Sequence, residues 1–160
     1  MTLKFDSRGN LTPSSNIRCS LQLFHETFVH NIPSPIREEL FNNFQKYSLM
    51  LKDLLKSELL TVWIDGSYTT MKTSPSDIDL VIFISHTLVE NFEQDLEDFK
   101  FPNSLIKFGL DAYIVKVYPE HHKNYHLYIS DELYWRGLFE KNKRNRRGIK
   151  IPKGFIEIDI

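Results

Sequence analysis

The stretch VWIDGSYTTMKTSPSDIDLVIFI, residues 62–84, decides the reading of this chain. Val62, Trp63 and Ile64 form an apolar strand that ends in a turn at Gly66-Ser67. A second apolar strand, Leu80 to Ile84, is led in by Asp77-Ile78-Asp79. Side chains alternate faces along a strand, so Asp77 and Asp79 are expected on one face and Ile78 and Leu80 on the other. Two carboxylates held side by side raise each other's pKa unless a cation lies between them. The cation that suits such a pair is hard and oxygen-liganded, most simply Mg²⁺ carried in with the phosphates of a nucleotide. The Gly-Ser turn offers backbone N–H groups and a hydroxyl at a spot a bulky side chain would block, the chemistry of a phosphate cradle. The competing reading is a strand-turn-strand unit with solvated aspartates. Neither Gly-Ser nor Asp-x-Asp alone argues against it; their combination at this spacing, between two apolar strands, does.

Composition bounds the rest. A chain of 160 residues is long enough for one domain with a real core. Apolar content of 41% and charged content of 26% are those of an ordinary globular protein. No apolar run approaches the ~20 residues that span a bilayer, so no membrane partner is expected. MTLKFDSRGN has no apolar signal core, and Cys19, the single cysteine, excludes an internal disulfide. A cytoplasmic location is the expectation. The net charge of −1 carries no global nucleic-acid signature.

One domain is expected over 1–160, with an irregular arm and short helix in 1–34 and a basic loop in 141–154. Ser20 is placed to cap the short helix, with Leu21, Phe24 and Phe28 as its apolar stripe. Ser34 and Pro35 open the clearest helix, whose stripe Ile36, Leu40, Phe44, Tyr47, Leu51, Leu54 and Leu55 runs to about residue 57. Strands are expected over 60–65, 77–85, 106–117 and 155–160. A helix to about residue 99 should present Leu88, Phe92, Leu96 and Phe99 on one face, with Pro102 ending it. Residues 118–129 have no clear period, and Ser130, followed by Asp131 and Glu132, is placed to start a further helix. The alternation of elements predicts an α/β (α+β) fold, a mixed sheet with helices packed mainly on one face.

The Gly66-Ser67 turn and the Asp77-Ile78-Asp79 strand resemble the nucleotidyltransferase superfamily of the DNA polymerase β type. Its motif is Gly followed by Gly or Ser, about ten residues, then Asp-apolar-Asp or Asp-apolar-Glu on a strand, with a third carboxylate on a later strand. Asp111, within KFGLDAYIVKVY, is the best-placed third acid. The resemblance implies the nucleotidyltransferase fold. It also implies two Mg²⁺ ions, with Mn²⁺ as a substitute, held by Asp77, Asp79 and Asp111. The outer phosphates of an NTP such as ATP would lie on Gly66 and Ser67. Thr70 and Lys72 are candidates for phosphate contact; the alternative is that they only shape and flank the turn. A closer likeness covers most of the chain: Phe5-x-x-x-Gly9-x-Leu11, Trp63-x-Asp65-Gly66-Ser67, Asp77-Ile78-Asp79, Asp111-Ala112-Tyr113, a helix with Trp135, and Lys153-Gly154. It is similar to a family of small, mostly bacterial proteins of unknown role that carry the nucleotidyltransferase motifs. The chain departs from that family's aromatic-Gly-x-Asp-Arg-x-Gly pattern, having Phe139-Glu140-Lys141-Asn142-Lys143-Arg144 there.

Residues 141–153, KNKRNRRGIKIPK, hold seven basic residues and no acid. They read either as a solvated mobile loop or as an anion-binding arm in which Arg144, Arg146 and Arg147 grip a triphosphate or RNA. Trp135 and Tyr113 read as packing residues before base-stacking ones. His121, His122 and His126 read as surface histidines rather than a zinc site. Asp65 reads as a turn residue. The expected function is transfer of a nucleoside monophosphate from an NTP to a hydroxyl of a protein or RNA (tRNA) acceptor. Analogy with the superfamily places this in a toxin–antitoxin or phage-defence module, with a protein partner or homo-oligomer completing the site. The alternative is a non-catalytic nucleotide- or RNA-binding regulatory subunit or antitoxin.

Overall fold

The central strands alternate as their sequences require, and the alternation divides the molecule into two faces. A computed structural model describes residues 2–160. Its main sheet has the order β3-β7-β4-β5-β6, where β3 is Asn16–Arg18, β4 Thr61–Asp65, β5 Ile78–Ser85, β6 Leu110–Val117 and β7 Phe155–Asp159. β4 runs antiparallel to β5 and β7, while β5–β6 and β3–β7 are parallel. The sheet is therefore mixed and the class α+β, as the sequence predicts.

One face is the main core. Val62, Ile64, Ile78, Leu80, Ile82, Leu110, Ile156 and Ile158 pack there against Phe24, Phe28, Leu40, Phe44, Tyr47 and Leu51. The latter come from α1 (Leu21–His25), the π-helical turn Glu26–His30 that continues it, and α2 (Pro35–Leu55). Ser20 caps α1, its Oγ accepting from the Leu23 N–H at 3.1 Å. Pro35 starts α2 as expected, but Ser34 makes no capping bond. On the other face a smaller cluster of Trp63, Val81, Val115, Phe139 and Phe155 lies under a single helix, α5 (Tyr125–Phe139).

Four expectations change. The N-terminal arm is ordered: β1 (Lys4–Phe5) pairs with β2 (Leu11–Thr12) around Gly9, and Asn16–Arg18 joins the sheet edge. The predicted helix to residue 99 is broken into α3 (His86–Asn91) and a 3-10 turn, Asp95–Phe99. Glu90, Glu93, Glu97 and their acidic neighbours crowd like charges that a continuous helix would stack. The strand predicted from residue 106 begins only at Leu110, because α4 (Asn103–Phe108) precedes it and ends on Gly109 in the left-handed conformation. α5 starts at Tyr125, so Ser130 lies inside it; the Glu132–Arg136 ion pair, 2.8 Å, supports its middle turns.

Arg37 on α2 is wholly buried, yet its partners are neutral. Its guanidinium donates to the carbonyls of Phe28 (3.0 Å), Tyr68 (2.8 Å), Thr70 (2.7 Å) and Lys72 (3.0 Å through Nε, and again through Nη2). All five N–H groups are thus used. The Tyr68 ring lies 4.8 Å from the guanidinium carbon, and its hydroxyl donates back to the Arg37 carbonyl at 2.8 Å. This fixes the backbone of residues 68–72 directly after the Gly-Ser turn. Arg37→Lys replaces a five-donor fork by three donors at one point, leaving at least one carbonyl unpaired at about 1–3 kcal/mol each. Urea denaturation should show a loss of about 2–4 kcal/mol; a loss below about 1 kcal/mol would mean the carbonyl cluster tolerates a point charge.

Candidate active site

The antiparallel register sets Asp65, the last residue of β4, opposite Asp79. The parallel register then sets Asp79 opposite Asp111 on β6. Three carboxylates form a row across three neighbouring strands, on the face shared with Trp63 and Tyr113. Asp77, just before β5, stands beside Asp79 and Asp111 closely enough to act on both. The structure thus brings together all three acids expected from the sequence and adds a fourth, Asp65.

Their electrostatics call for a cation. Burial, followed by the charges of Asp77, Asp65 and Asp111, pushes the Asp79 carboxyl up to about 6; Lys143 opposes this only weakly. Asp111 is also raised, first by burial, with the neighbouring Tyr113 hydroxyl pulling the other way. Its Oδ1 is buried without a hydrogen-bond partner. Among the described residues no group of three or more His, Cys, Asp or Glu side chains is placed, as it stands, to hold a metal ion. The donors still fit a hard divalent ion: they are carboxylates only, mutually repelling, with one buried oxygen unpartnered. Mg²⁺ characteristically takes one or two carboxylates and completes its shell with water and substrate phosphates.

Gly66 has φ +78° and ψ −161°, a region open essentially to glycine. A Cβ there would lie 1.7 Å from Asp79 Oδ2 and 2.7 Å from its Cγ. The glycine is therefore required by the acid opposite it, whatever binds at the turn. Ser67, half-exposed, opens a 3-10 turn, Ser67–Thr69. The Thr70 hydroxyl is engaged locally, donating to the Ser67 carbonyl (2.8 Å) and accepting from the Lys72 N–H (3.2 Å). The Lys72 carbonyl faces Arg37, and its side chain is exposed.

Sequence reasoning misses the pair Asp65–Lys153. Lys153 Nζ donates to Asp65 Oδ1 and, at 3.3 Å, to the Phe139 carbonyl. Both residues are buried. Burial pushes the Asp65 carboxyl up, and the Lys153 ammonium pulls it back. The signal available was the Lys-Gly before the last strand. Gly154 is needed because a Cβ there would meet the Pro13 carbonyl oxygen at 2.4 Å.

This pair anchors the basic segment, which is a hairpin rather than a shapeless loop. A Lys141–Pro152 bridge closes it, and the Asn142 and Asn145 N–H groups donate to Ile151 (2.8 Å) and Ile149 (2.9 Å). The Asn145 side-chain oxygen accepts from the Arg147 and Ile149 N–H groups at the tip. Of its seven basic residues Lys153 is consumed internally. The other six, Lys141, Lys143, Arg144, Arg146, Arg147 and Lys150, are exposed and form no ion pair among the described residues. The histidines lie elsewhere: His122 packs on Tyr118 (4.9 Å) and His86 (4.7 Å), near the ends of β5 and β6.

Residues 3–159 match the model of a family described as "Family of unknown function (DUF6932)". No curated protein and no solved structure matches the chain.

Two stability experiments follow from the row. Asp79 is raised in the fold, so the folded protein holds its proton to higher pH than the unfolded chain does, and ionisation destabilises the fold. In EDTA, Asp79→Asn should leave the melting temperature near wild type at about pH 4 and raise it above wild type once pH exceeds about 6. A constant difference across that window would contradict the coupling. Gly66→Ala should destabilise strongly, and Gly66→Ala/Asp79→Ala should lose less than the sum of the single changes, because the clashing carboxylate is gone. Strict additivity in thermal unfolding would show that the two positions do not compete for space.

Proposed function

We propose that this chain, which belongs to the DUF6932 family, is a Mg²⁺-dependent nucleotidyltransferase with the fold of the DNA polymerase β type. The observation that carries this reading is the registered pair Asp79–Asp111 with Asp77 beside it, Asp79 lying against the glycine of a Gly-Ser turn. Asp77, Asp79 and Asp111 would hold two Mg²⁺ ions, for which Mn²⁺ is the natural substitute. When bound, the metal supplies charge neutralisation on the phosphate oxygens.

The chain's own groups divide the remaining work. Gly66 and Ser67 orient the outer phosphates of the NTP, on a backbone that Arg37 holds from behind. Lys143 adds positive charge near Asp79 and Asp111, and Lys72, exposed just past the turn, is the candidate to meet a phosphate. An acceptor hydroxyl oxygen bonds to the α-phosphorus while the α-phosphorus bond to the bridging oxygen breaks and pyrophosphate leaves. Asp111, at the β6 end of the row, takes the hydroxyl proton. The acceptor is a protein or an RNA such as tRNA. By analogy with small superfamily members, the setting is a toxin–antitoxin or phage-defence module in the cytoplasm.

Asp77→Asn and Asp79→Asn should each reduce transfer from labelled NTP and Mg²⁺, in the presence of total tRNA or cell lysate, by about 10²-fold or more. Circular dichroism should remain that of the wild type. Ser67→Ala should weaken NTP binding by only about 0.5–1.5 kcal/mol. Full transfer in either Asn variant would overturn the reading.

A further inference from the structure

The acidic row runs from one kind of surface to another. At its β4 end, Asp65 holds Lys153 and with it the base of the basic hairpin. At its β6 end, Asp111 is followed two residues later, on the same face, by Tyr113. Tyr113 lies against Trp135 (4.7 Å), and Trp135 meets Tyr134 edge-on (5.4 Å). Phe101 also stacks on Tyr113, at 6.0 Å and 19°. Its N–H donates to the Ala112 carbonyl at 2.8 Å, which fastens it to β6. Two of these rings are turned to solvent, Phe101 at 47% exposure and Tyr134 at 61%. Trp135 and Tyr134 lie on the helix that leads directly into the hairpin, so the aromatic ledge and the cations are joined through α5.

We propose that this surface binds the acceptor, and that the acceptor is single-stranded RNA whose terminal ribose hydroxyl is presented to the acidic row. The inference rests on the nucleotidyltransferase reading and names its substrate class. Exposed aromatic faces with flanking unpaired cations are what a single strand requires: bases stack on the rings while the backbone follows the charges. A duplex keeps its bases stacked on one another and leaves the ledge unused. A triphosphate bound with Mg²⁺ has too little charge for six cations. An acidic peptide would answer the hairpin and supply no planar faces for Phe101 and Tyr134. In the step itself, the ribose oxygen bonds to the α-phosphorus of the NTP, the α–β phosphoanhydride bond breaks, pyrophosphate departs and the ribose hydroxyl proton goes to Asp111. The RNA is lengthened by one nucleotide.

The test is fluorescence anisotropy of a short labelled single-stranded RNA of mixed sequence with the full chain, over a range of salt. Wild-type binding should weaken with salt at a log–log slope of about −0.7 per phosphate contacted, and Arg144→Gln/Arg146→Gln/Arg147→Gln should flatten that slope by about 2. Phe101→Ala and Tyr134→Ala, both at exposed positions, should each weaken binding about fivefold or more without changing the slope. NTP binding with Mg²⁺ should be unchanged in all three. Binding that is insensitive to both exposed rings would be polyanion attraction only and would overturn the inference. So would label transferred to a protein with RNA untouched, an outcome that leaves nucleotidyl transfer standing. RNA binding with the expected variant effects, but no transfer from any NTP, would support the single-strand surface and remove the catalytic reading beneath it.

Discussion

A buried guanidinium without a counter-charge holds the candidate site in shape. Burying Arg37 takes a full charge out of water, which is tolerable only if every N–H finds an acceptor. Here the acceptors are main-chain carbonyls from the turn after α1 and from residues 68–72. One side chain therefore joins α2 to the segment that follows the Gly-Ser turn. That segment has no regular structure of its own beyond one 3-10 turn, so its geometry comes from what grips it. The N-terminal hairpin adds a second grip, the Met71 N–H donating to the Gly9 carbonyl at 3.0 Å.

The opposite face shows the reverse economy. Its clustered carboxylates repel one another and sit partly out of water, a local arrangement that lowers stability. Only Asp65 has a tight internal cation, Lys153; Asp79 and Asp111 have the more distant, exposed Lys143. The main core, on the far side of the same strands, supplies the apolar burial against which this repulsion is sustained. Charge concentrated at one end of three neighbouring strands, in an otherwise well-packed sheet, is the arrangement on which the proposed function rests.

Much of the architecture was legible because it depends on local periodicity. The stripe from Ile36 to Leu55 and the alternation in Phe155–Asp159 each report a face that is buried all along its length. Legibility failed where tertiary packing overrides local preference. Residues 106–109 read as the start of a strand because the stretch is rich in apolar residues, yet they are the last turn of a short helix and the Gly109 that ends it. Ser130 read as a cap, yet its neighbours are held in mid-helix by packing on the sheet. The segment 141–154 read as a loop because its hairpin is stabilised by main-chain bonds and by the polar side chains of Asn142, Arg144 and Asn145, which leave no apolar pattern.

Residue order alone specifies the strand-turn-strand with its two aspartates, the glycine between the strands and the third acid on a later strand. Those features are set by residue type and spacing along the chain. It took the folded chain to bring Asp65 into the row, to bury Lys153 against it, and to make Gly66 a requirement of Asp79. Folding likewise sets Tyr113 and Trp135 beside the exposed Phe101 and Tyr134. Each of these is a contact between residues far apart in sequence, fixed by strand register and by which helix covers which face. A single chain read in one dimension carries the chemistry of its side chains, but their neighbours across a sheet are chosen by the pairing of strands.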